Sequence, residues 1–434
     1  MRKLIAIVLM LALVAGAAFA GGQAEEAAEI EPFDPDRQYS ITVGAFPHVD
    51  EAVEMLLPRF NEDYPNIEVE VISQGFDDHH TAMMTDLAAG EPLPDVVLLE
   101  ISFIAQFSAA GGFRDLLVEP YNAGQYEDIF VPYKWAQPMT PDGRLVAMPK
   151  DIAPASIFYR RDIFEDAGLP SDPDEVGELL STWDDFLEVA RRLTRDTTGD
   201  GEADHWAIAH ASEVANMFVE AHDEGWFDED GNPNLTNPQF VEGLEMARRI
   251  REEGLDADIG AWSTEWFEAI ERGTTAMLMH GAWMGGHIRT WMAPDTAGNW
   301  GVAHLPDGMY ANDGGSFFGI PQSAEHPAAS WEFIQWFTTQ ADVQVEMFEH
   351  HDIFPAILDA FDDPIFDEPI DFYGGQRARQ LWIEVAENVP DVRVHPSDPI
   401  ADELFQQAVD EVLLEGADPL EALENANEQV RRRM

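Results

Sequence analysis

The sequence predicts an α/β protein of two domains, at least one of them built on a largely parallel sheet. Three observations carry this. Between residues 40 and 99, short apolar stretches alternate with amphipathic stretches of helical period, the pattern of consecutive βαβ units. The chain has 434 residues, enough for two separate cores. From about Asp162 the pattern becomes mainly helical with no low-complexity linker. Several crossings between the domains are therefore expected, rather than two beads on one string.

The elements follow in order. Arg2 and Lys3 precede an apolar run from Leu4 to Ala18, and Ala18-Phe19-Ala20 is a small-x-small cleavage site. This is the three-part plan of a secretory signal peptide over residues 1–20. Residues 21–35 read as a disordered acidic leader. Ser40 to Phe46 is a strand. Asp50 to Tyr64 is a helix with Val53, Leu56, Leu57 and Phe60 on one face and a kink expected at Pro58. Ile67 to Ile72 alternates as a strand, and Asp77 to Ala89 is a helix ended by Gly90. Asp95 to Leu99 reads as a strand whose Val96 to Leu99 form an unbroken apolar run, as in a strand covered on both faces. Ligands of such sheets bind beyond the carboxyl ends of the strands. Here those ends are Phe46 to Asp50, Gly75 to Asp78 and Glu100 to Phe103.

In the second part, Thr182 caps a helix carrying Trp183, Phe186, Leu187, Ala190 and Leu193, with Asp185 three residues on. Asn237 caps another, with Pro238 at its first position. Thr275 to Met279 and Asn299 to His304 read as strands. Pro327 to Thr339 is a helix dominated by Trp331, Ile334, Trp336 and Phe337, and three more helices are expected in the last hundred residues.

Charge excludes several partners. Asp and Glu number 83 against 24 Lys and Arg, a formal net charge of −59, and only Lys3, Lys134 and Lys150 are lysines. Nucleic acid and anionic membranes need clustered cations and are poor partners. Acid loading on this scale suits high salt, where screening relieves self-repulsion. The chain has no cysteine, which removes disulfides, thiolate metal sites, cysteine nucleophiles and lipid attachment at an N-terminal cysteine.

No catalytic motif stands out: G-x-S-x-G, G-x-x-x-x-G-K-[ST] and H-E-x-x-H are absent. Asp196, Thr198, Asp200, Gly201 and Asp204 follow the spacing of a calcium loop, but Ala207 stands where the bidentate Glu belongs. A surface turn is the better reading. The pairs His79-His80 and His350-His351 lack a further helical His four residues away, so no metal is expected. Trp283 lies in Gly281-Ala282-Trp283-Met284-Gly285-Gly286, just after a strand. A large ring among glycines is placed to line a cleft and to meet the C–H face of a sugar. Trp291, Trp331 and Trp336 are assigned to core, since their helices need an apolar face.

Several segments together resemble one family. They are Gly90-Glu91-Pro92-Leu93-Pro94-Asp95-Val96-Val97, then Gly111-Gly112-Phe113-Arg114-Asp115-Leu116, then Gly143-Arg144-Leu145-Val146-Ala147-Met148-Pro149 running through Ile157-Phe158-Tyr159-Arg160-Arg161-Asp162 to Ala167-Gly168-Leu169. Thr182-Trp183-Asp184-Asp185-Phe186, Gly273-Thr274-Thr275-Ala276-Met277, Gly281-Ala282-Trp283, Gly314-Gly315-Ser316, Gly319-Ile320-Pro321 and Ala329-Ser330-Trp331-Glu332-Phe333-Ile334 follow in order. Over nearly all of the mature chain the sequence resembles the extracellular solute-binding proteins of carbohydrate ABC importers, the group that includes maltose-binding protein.

The resemblance implies a two-lobed periplasmic-binding-protein fold of type II, with the ligand in a cleft between lobes joined by three hinge crossings. By analogy the crossings fall near Ile152-Ala153, Ser316-Phe317 and Phe354-Pro355. Lobe one is then residues 36–152 plus 317–354, and lobe two residues 153–316 plus 355–434. Phe46, His48, Asp77, Asp78, Glu100, Asp151, Trp262, Trp283, Gly315 and Ser316 are placed around the cleft by position. The implied role is capture of a neutral sugar or short oligosaccharide and delivery to the permease subunits of an ABC importer by hinge closure. No cofactor, no catalytic residue, a monomeric state and a periplasmic location are expected with it. Competing readings are a binder of another polar solute, such as a polyamine or polyol, and a secreted glycoside hydrolase. The hydrolase would need two carboxylates facing each other across the cleft.

Overall fold

The computed structural model describes residues 31–223, 225–391 and 394–434. The signal-peptide segment and most of the leader lie outside them. The first sheet has five strands: β1 (Tyr39–Ala45), β2 (Ile67–Ser73), β3 (Val96–Glu100), β4 (Ala147–Pro149) and β9 (Ser316–Gly319), in the order β2-β1-β3-β9-β4. β1 pairs in parallel with β2 from Tyr39↔Ile67 to Ala45↔Ser73, and with β3 at Val43↔Val96. β9 runs antiparallel to both β3 and β4, so it alone is reversed. The largely parallel sheet read from the sequence is this one. All five residues of β3 are buried, as its unbroken apolar run requires when helices cover both faces.

Helix α1 (Val49–Asp63) runs through Pro58 without ending. The expected kink site is exposed, so the carbonyl that loses its N–H partner faces water. Helix α2 (Phe76–Ala89) stops at Gly90, whose φ of 72° places it in the left-handed region that only glycine enters freely. Helix α3 (Ile101–Ala110) starts directly from β3, because the Glu100 carboxylate accepts the Ser102 N–H at 2.8 Å and caps it.

The second sheet differs from the sequence expectation. It has three strands, ordered β7 (Met277–Gly281), β6 (Ala155–Arg160), β8 (Trp300–Ala303), and both neighbours run antiparallel to β6. β7 begins two residues later than the apolar pattern suggests. The helices around it obey their local signals. Thr182 Oγ1 accepts the Asp185 N–H and donates to the Asp185 carboxylate, closing the cap of α4 (Trp183–Leu193). Asn237 caps α6 (Pro238–Glu252), and α5 (Ser212–Glu220) packs alongside it. Helix α7 (Thr264–Arg272) and short α8 (Trp283–His287) bracket β7 in sequence.

Helix α9 (Pro327–Thr339) matches its predicted bounds and buries Trp331 and Trp336. Trp291 does not follow its assignment to core: its side chain is 51% exposed. It lies on a wider turn over Ile288–Met292, where the backbone steps outward from the α-helical path, so the helical stripe that was to bury it does not form. After α9 come four helices among the described residues, one more than expected: α10 (Ala341–His351), α11 (Ala378–Asn388), α12 (Asp398–Glu415) and α13 (Pro419–Arg433).

The chain passes between the sheets at three adjacent places. β5 (Asp151–Ile152) pairs antiparallel with β10 (Phe354–Pro355). The third strand of the hinge is the start of β9, where Lys150 N–H donates to the Ser316 carbonyl at 2.9 Å. After β10 the chain returns to the second sheet, where Trp382 Nε1 donates to Ser156 Oγ at 3.0 Å.

Candidate functional site

The hinge is held by side chains as well as by β-pairing. Asp151 accepts the Ser316 N–H at 2.9 Å and also bonds the Ser316 hydroxyl. Asn312 Oδ1 accepts from Tyr133 Oη at 3.0 Å and from Ala153 N–H at 2.8 Å, while its Nδ2 donates to the Gly314 carbonyl. Gly315 has φ of +96°, and a Cβ there would lie 2.6 Å from the Asp151 carbonyl oxygen. Only glycine fits. Beneath it, Lys134 is fully buried with its Nζ 3.9 Å from the centre of the Phe317 ring. Burial pushes this amine down to about 7, against the pull of Asp151 and Glu100. Asp151, Gly315 and Ser316 therefore sit in the hinge, with their polar groups committed to it.

On one side of the hinge is an aromatic cluster. Trp262 and Trp283 lie nearly parallel, with centroids 5.9 Å apart and planes 15° from each other. Trp283 is half-buried, and its Nε1 donates to the Asp313 carbonyl at 2.7 Å. Trp262 has φ of 64° and is 52% exposed. His287 packs edge-on against both rings, and His48 packs against His287 at 5.0 Å. His48 follows β1 of the first sheet, whereas the other three rings come from segments around β7 of the second, so this cluster spans the lobes. Burial, with neighbouring histidines adding to it, pushes His48 down to about 4; burial likewise takes His287 to about 4. Both rings are neutral at pH 7.

The remaining residues named from the sequence scatter around the rim. Asp77 and Asp78 are exposed in the first turn of α2. Phe46 is buried against Phe76, His79 and His80. Glu100 is buried as the cap of α3, and burial raises its carboxyl.

A cavity of about 240 Å³ opens between the lobes. One wall is α3 with Gln137. The other is the end of α5, Trp226, Asn312 and Asp313, and the start of α12 with Asp398, Asp402 and Gln406. Asp313 joins the cavity to the aromatic cluster: it lines the first, and its carbonyl holds Trp283 of the second. Its carboxylate accepts the Gly281 N–H at 2.9 Å and meets His280 Nδ1 at 3.1 Å. No group of three or more His, Asp or Glu among the described residues is placed to hold a metal ion. In the loop that mimics a calcium site, the Asp196 carboxylate is taken up by the N–H groups of Gly199 and Gly201.

A two-lobed α/β chain with a cavity at a three-stranded hinge is the architecture expected of a receptor that closes on a small molecule. Residues 47–344 match the family model of the bacterial extracellular solute-binding proteins. The chain belongs to this family. The arabinooligosaccharide-binding protein of Halalkalibacterium halodurans is 22% identical over 404 residues, covering 89% of this chain and 87% of that one. A solved extracellular solute-binding protein of family 1 superposes with a TM-score of 0.78 at 23% identity, covering 91% of this chain and 99% of that one. The ABC-transporter-associated binding protein of B. animalis subsp. lactis, solved with β-1,6-galactobiose, gives 0.73 at 24% identity over 91% and 97% of the two chains. The family comprises binding proteins of ABC importers and not normally enzymes.

In this solute-binding protein the sequence reading missed Gln137, Asn216, Glu220, Trp226, Asp313, Asp398, Asp402 and Gln406. Two signals were available. Asp313 immediately precedes the Gly314-Gly315-Ser316 element, and Glu220 ends the otherwise apolar helical stripe of Val214, Met217 and Phe218. The others follow from no local pattern.

Proposed function

We propose that this solute-binding protein captures a sugar or short oligosaccharide between its lobes and presents the closed form to the permease subunits of an ABC importer. The observation that carries the reading is the stacked Trp262–Trp283 pair beside the interlobe cavity. A sugar offers C–H groups on its faces and hydroxyls at its edge. Aromatic rings take the first, and carboxylates and amides such as Asp313 and Asn216 take the second. The sugar-binding relatives support the same reading. We assign lobe one to residues 36–152 plus 317–354 and lobe two to 153–316 plus 355–434, with the hinge residues Asp151, Gly315 and Ser316 at the pivot. Trp262, Trp283 and His48 are assigned to the ligand surface, Phe46 and Glu100 to its support, and Asp77 and Asp78 to its rim.

The family is extracellular by description. Within that, we place the protein in the periplasm, exported by the segment at residues 1–20, and acting as a monomer. The sequence holds no cysteine at which a lipid could be attached.

A thermal-shift screen of the mature protein against a sugar panel tests the function. A ligand at 100 times its dissociation constant stabilises the folded state by about 2.7 kcal/mol. Small-angle scattering then tests closure: the radius of gyration falls on binding at constant mass. A panel that leaves the midpoint unchanged, or turnover of chromogenic glycosides, defeats the reading.

A further inference from the structure

We propose that the interlobe cavity is built for a ligand carrying a protonated amine, on a sugar unit or a polyamine, rather than for an uncharged sugar alone. The inference rests on this cavity being the ligand site.

The lining is one-sided in charge. Glu220, Asp313, Asp398 and Asp402 face the cavity, and among the described residues no Lys, Arg or His lines it. High acid content by itself does not account for this, because acids that keep a protein soluble in salt sit in water. Glu220, Asp313 and Asp398 are partly withdrawn from it while Asp402 stays exposed, and an unpartnered carboxylate is costly where water is excluded.

The lining is also one-sided in hydrogen bonding. Gln137 is only 4% exposed, and its Oε1 has no hydrogen-bond partner among the described residues. Asp398 Oδ1 is buried without a partner as well, although its Oδ2 accepts the His395 N–H at 2.8 Å. Glu220 receives no hydrogen bond from any described residue. Two of the side-chain amides nearby have their N–H groups spoken for: Gln406 Nε2 donates to Asn216 Oδ1 and Asp402 Oδ1, and Asn312 Nδ2 donates to Gly314. The cavity thus offers acceptors from both lobes, Gln137 Oε1 from one and Glu220 and Asp398 Oδ1 from the other, that no described donor meets. A sugar hydroxyl donates one proton and brings two lone pairs with it. An ammonium donates three and brings a charge. Trp226 also lines the cavity, and an aromatic ring suits a cation or the C–H groups next to it. A metal fits less well, since the carboxylates are not grouped as a coordination set.

The empty site is under electrostatic load. Burial, with Asp313, Asp402 and Glu100 as like-charged neighbours, raises Glu220 well above the carboxylate range. Burial, with Asp402 adding to it and the His395 N–H opposing, raises Asp398 to about 7. The buried amine of Lys134 feels Asp151 and Glu100 on the hinge side and is not among the charges that act on Glu220 or Asp398. An entering ammonium takes the place of these protons, so binding releases them.

The test uses titration calorimetry on the mature protein at pH 7 in 1 M sodium chloride. The probes are three β-1,4-linked glucose-type disaccharides that differ only at carbon 2, bearing hydroxyl, acetamide or ammonium. Glucosamine and galactosamine are run beside glucose and galactose, and spermidine beside both sets. The expected result is binding about ten-fold or more tighter for ammonium members than for their neutral partners. Proton release should appear as a dependence of the measured heat on the buffer. The double variant E220Q/D398N should lose that preference; it replaces the two carboxyls with amides of the same shape, and a melt at or above the parental midpoint certifies its fold. Neutral members binding as tightly as ammonium members, or no amine binding at all, overturns the inference. The first of these outcomes leaves the sugar-receptor reading intact. Spermidine binding with no sugar of either kind upholds the inference and overturns the sugar reading. A double variant that keeps the parental preference places the ammonium elsewhere and overturns the assignment to this cavity.

Discussion

Replacing Glu213 with Gln should stabilise this protein at pH 8 and leave it nearly unchanged at pH 4.5. Glu213 lies in α5, is 7% exposed, and faces β7 from behind the cavity. Its carboxyl accepts only two long hydrogen bonds, from Met279 N–H at 3.3 Å and His210 N–H at 3.4 Å. Burial dominates, and even with His280 nearby the group is raised from 4.5 to about 7. The sign follows from proton binding. Between pH 4.5 and 7 the native state holds a proton that the unfolded chain has released, so stability falls as pH rises through that window and levels off above it. A shift of this size, at about 1.36 kcal/mol per pH unit, makes the ionised carboxylate cost about 3 kcal/mol at pH 8. Glutamine carries no charge and resembles the protonated acid in shape and in its single good acceptor. The two proteins should match within about 1 kcal/mol at pH 4.5, the worth of one hydrogen bond. At pH 8 the variant should melt roughly 3–4 °C above the parent. Thermal melts of both proteins in 1 M salt from pH 4.5 to 8 make the measurement. A difference that does not change with pH, or a parent more stable at pH 8, would show that Glu213 is ionised in the native state and compensated there.

Three further outcomes are expected. The unfolding midpoint should rise between 0.1 and 1 M sodium chloride, as the screening length falls from about 10 to about 3 Å around a chain of net charge −59; a flat response would make the acids a solubility device alone. Trp283→Ala should weaken sugar binding by about 2 kcal/mol with the fold retained, whereas Trp331→Ala, 5% exposed in α9, should cost ~3–5 kcal/mol of stability and leave affinity alone; calorimetry and melts on both separate the two roles, and parental affinity in Trp283→Ala removes it from the ligand surface. Gly315→Ala should both destabilise the hinge and abolish the ligand-induced fall in radius of gyration, because the added Cβ meets the Asp151 carbonyl and Lys134 Nζ at 2.6 and 2.8 Å; normal closure in scattering would mean that the pivot lies elsewhere.

Features whose cause lies within a few residues were legible in the sequence. The Thr182–Asp185 cap, the Asn237-Pro238 start and the Gly90 stop each depend on a side chain or backbone angle acting on its near neighbours, and each stands as read. The buried β3 and the apolar stripe of α9 follow from periodicity. Family motifs in order, each weak alone, carried the two lobes and the hinge. Trp291 marks where periodicity fails: the apolar helical face to which it is assigned does not form, and a wider turn carries the ring into solvent.

The sequence by itself determined most of the helices, the three parallel strands β1, β2 and β3 of the first sheet, the acidity, and the family. Tertiary structure alone decided the antiparallel order of the second sheet, the commitment of Asp151 and Ser316 to the hinge, and the content of the cavity. Gln137, Glu220, Asp313 and Asp398 come from four separate segments and meet only because two lobes face each other. The chemistry of Gln137 Oε1, Glu220 and Asp398 Oδ1 lies in the partner that each lacks among the described residues. A missing partner has no local signature, because in an unfolded chain water supplies it everywhere; it becomes a property of the molecule only when folding excludes that water.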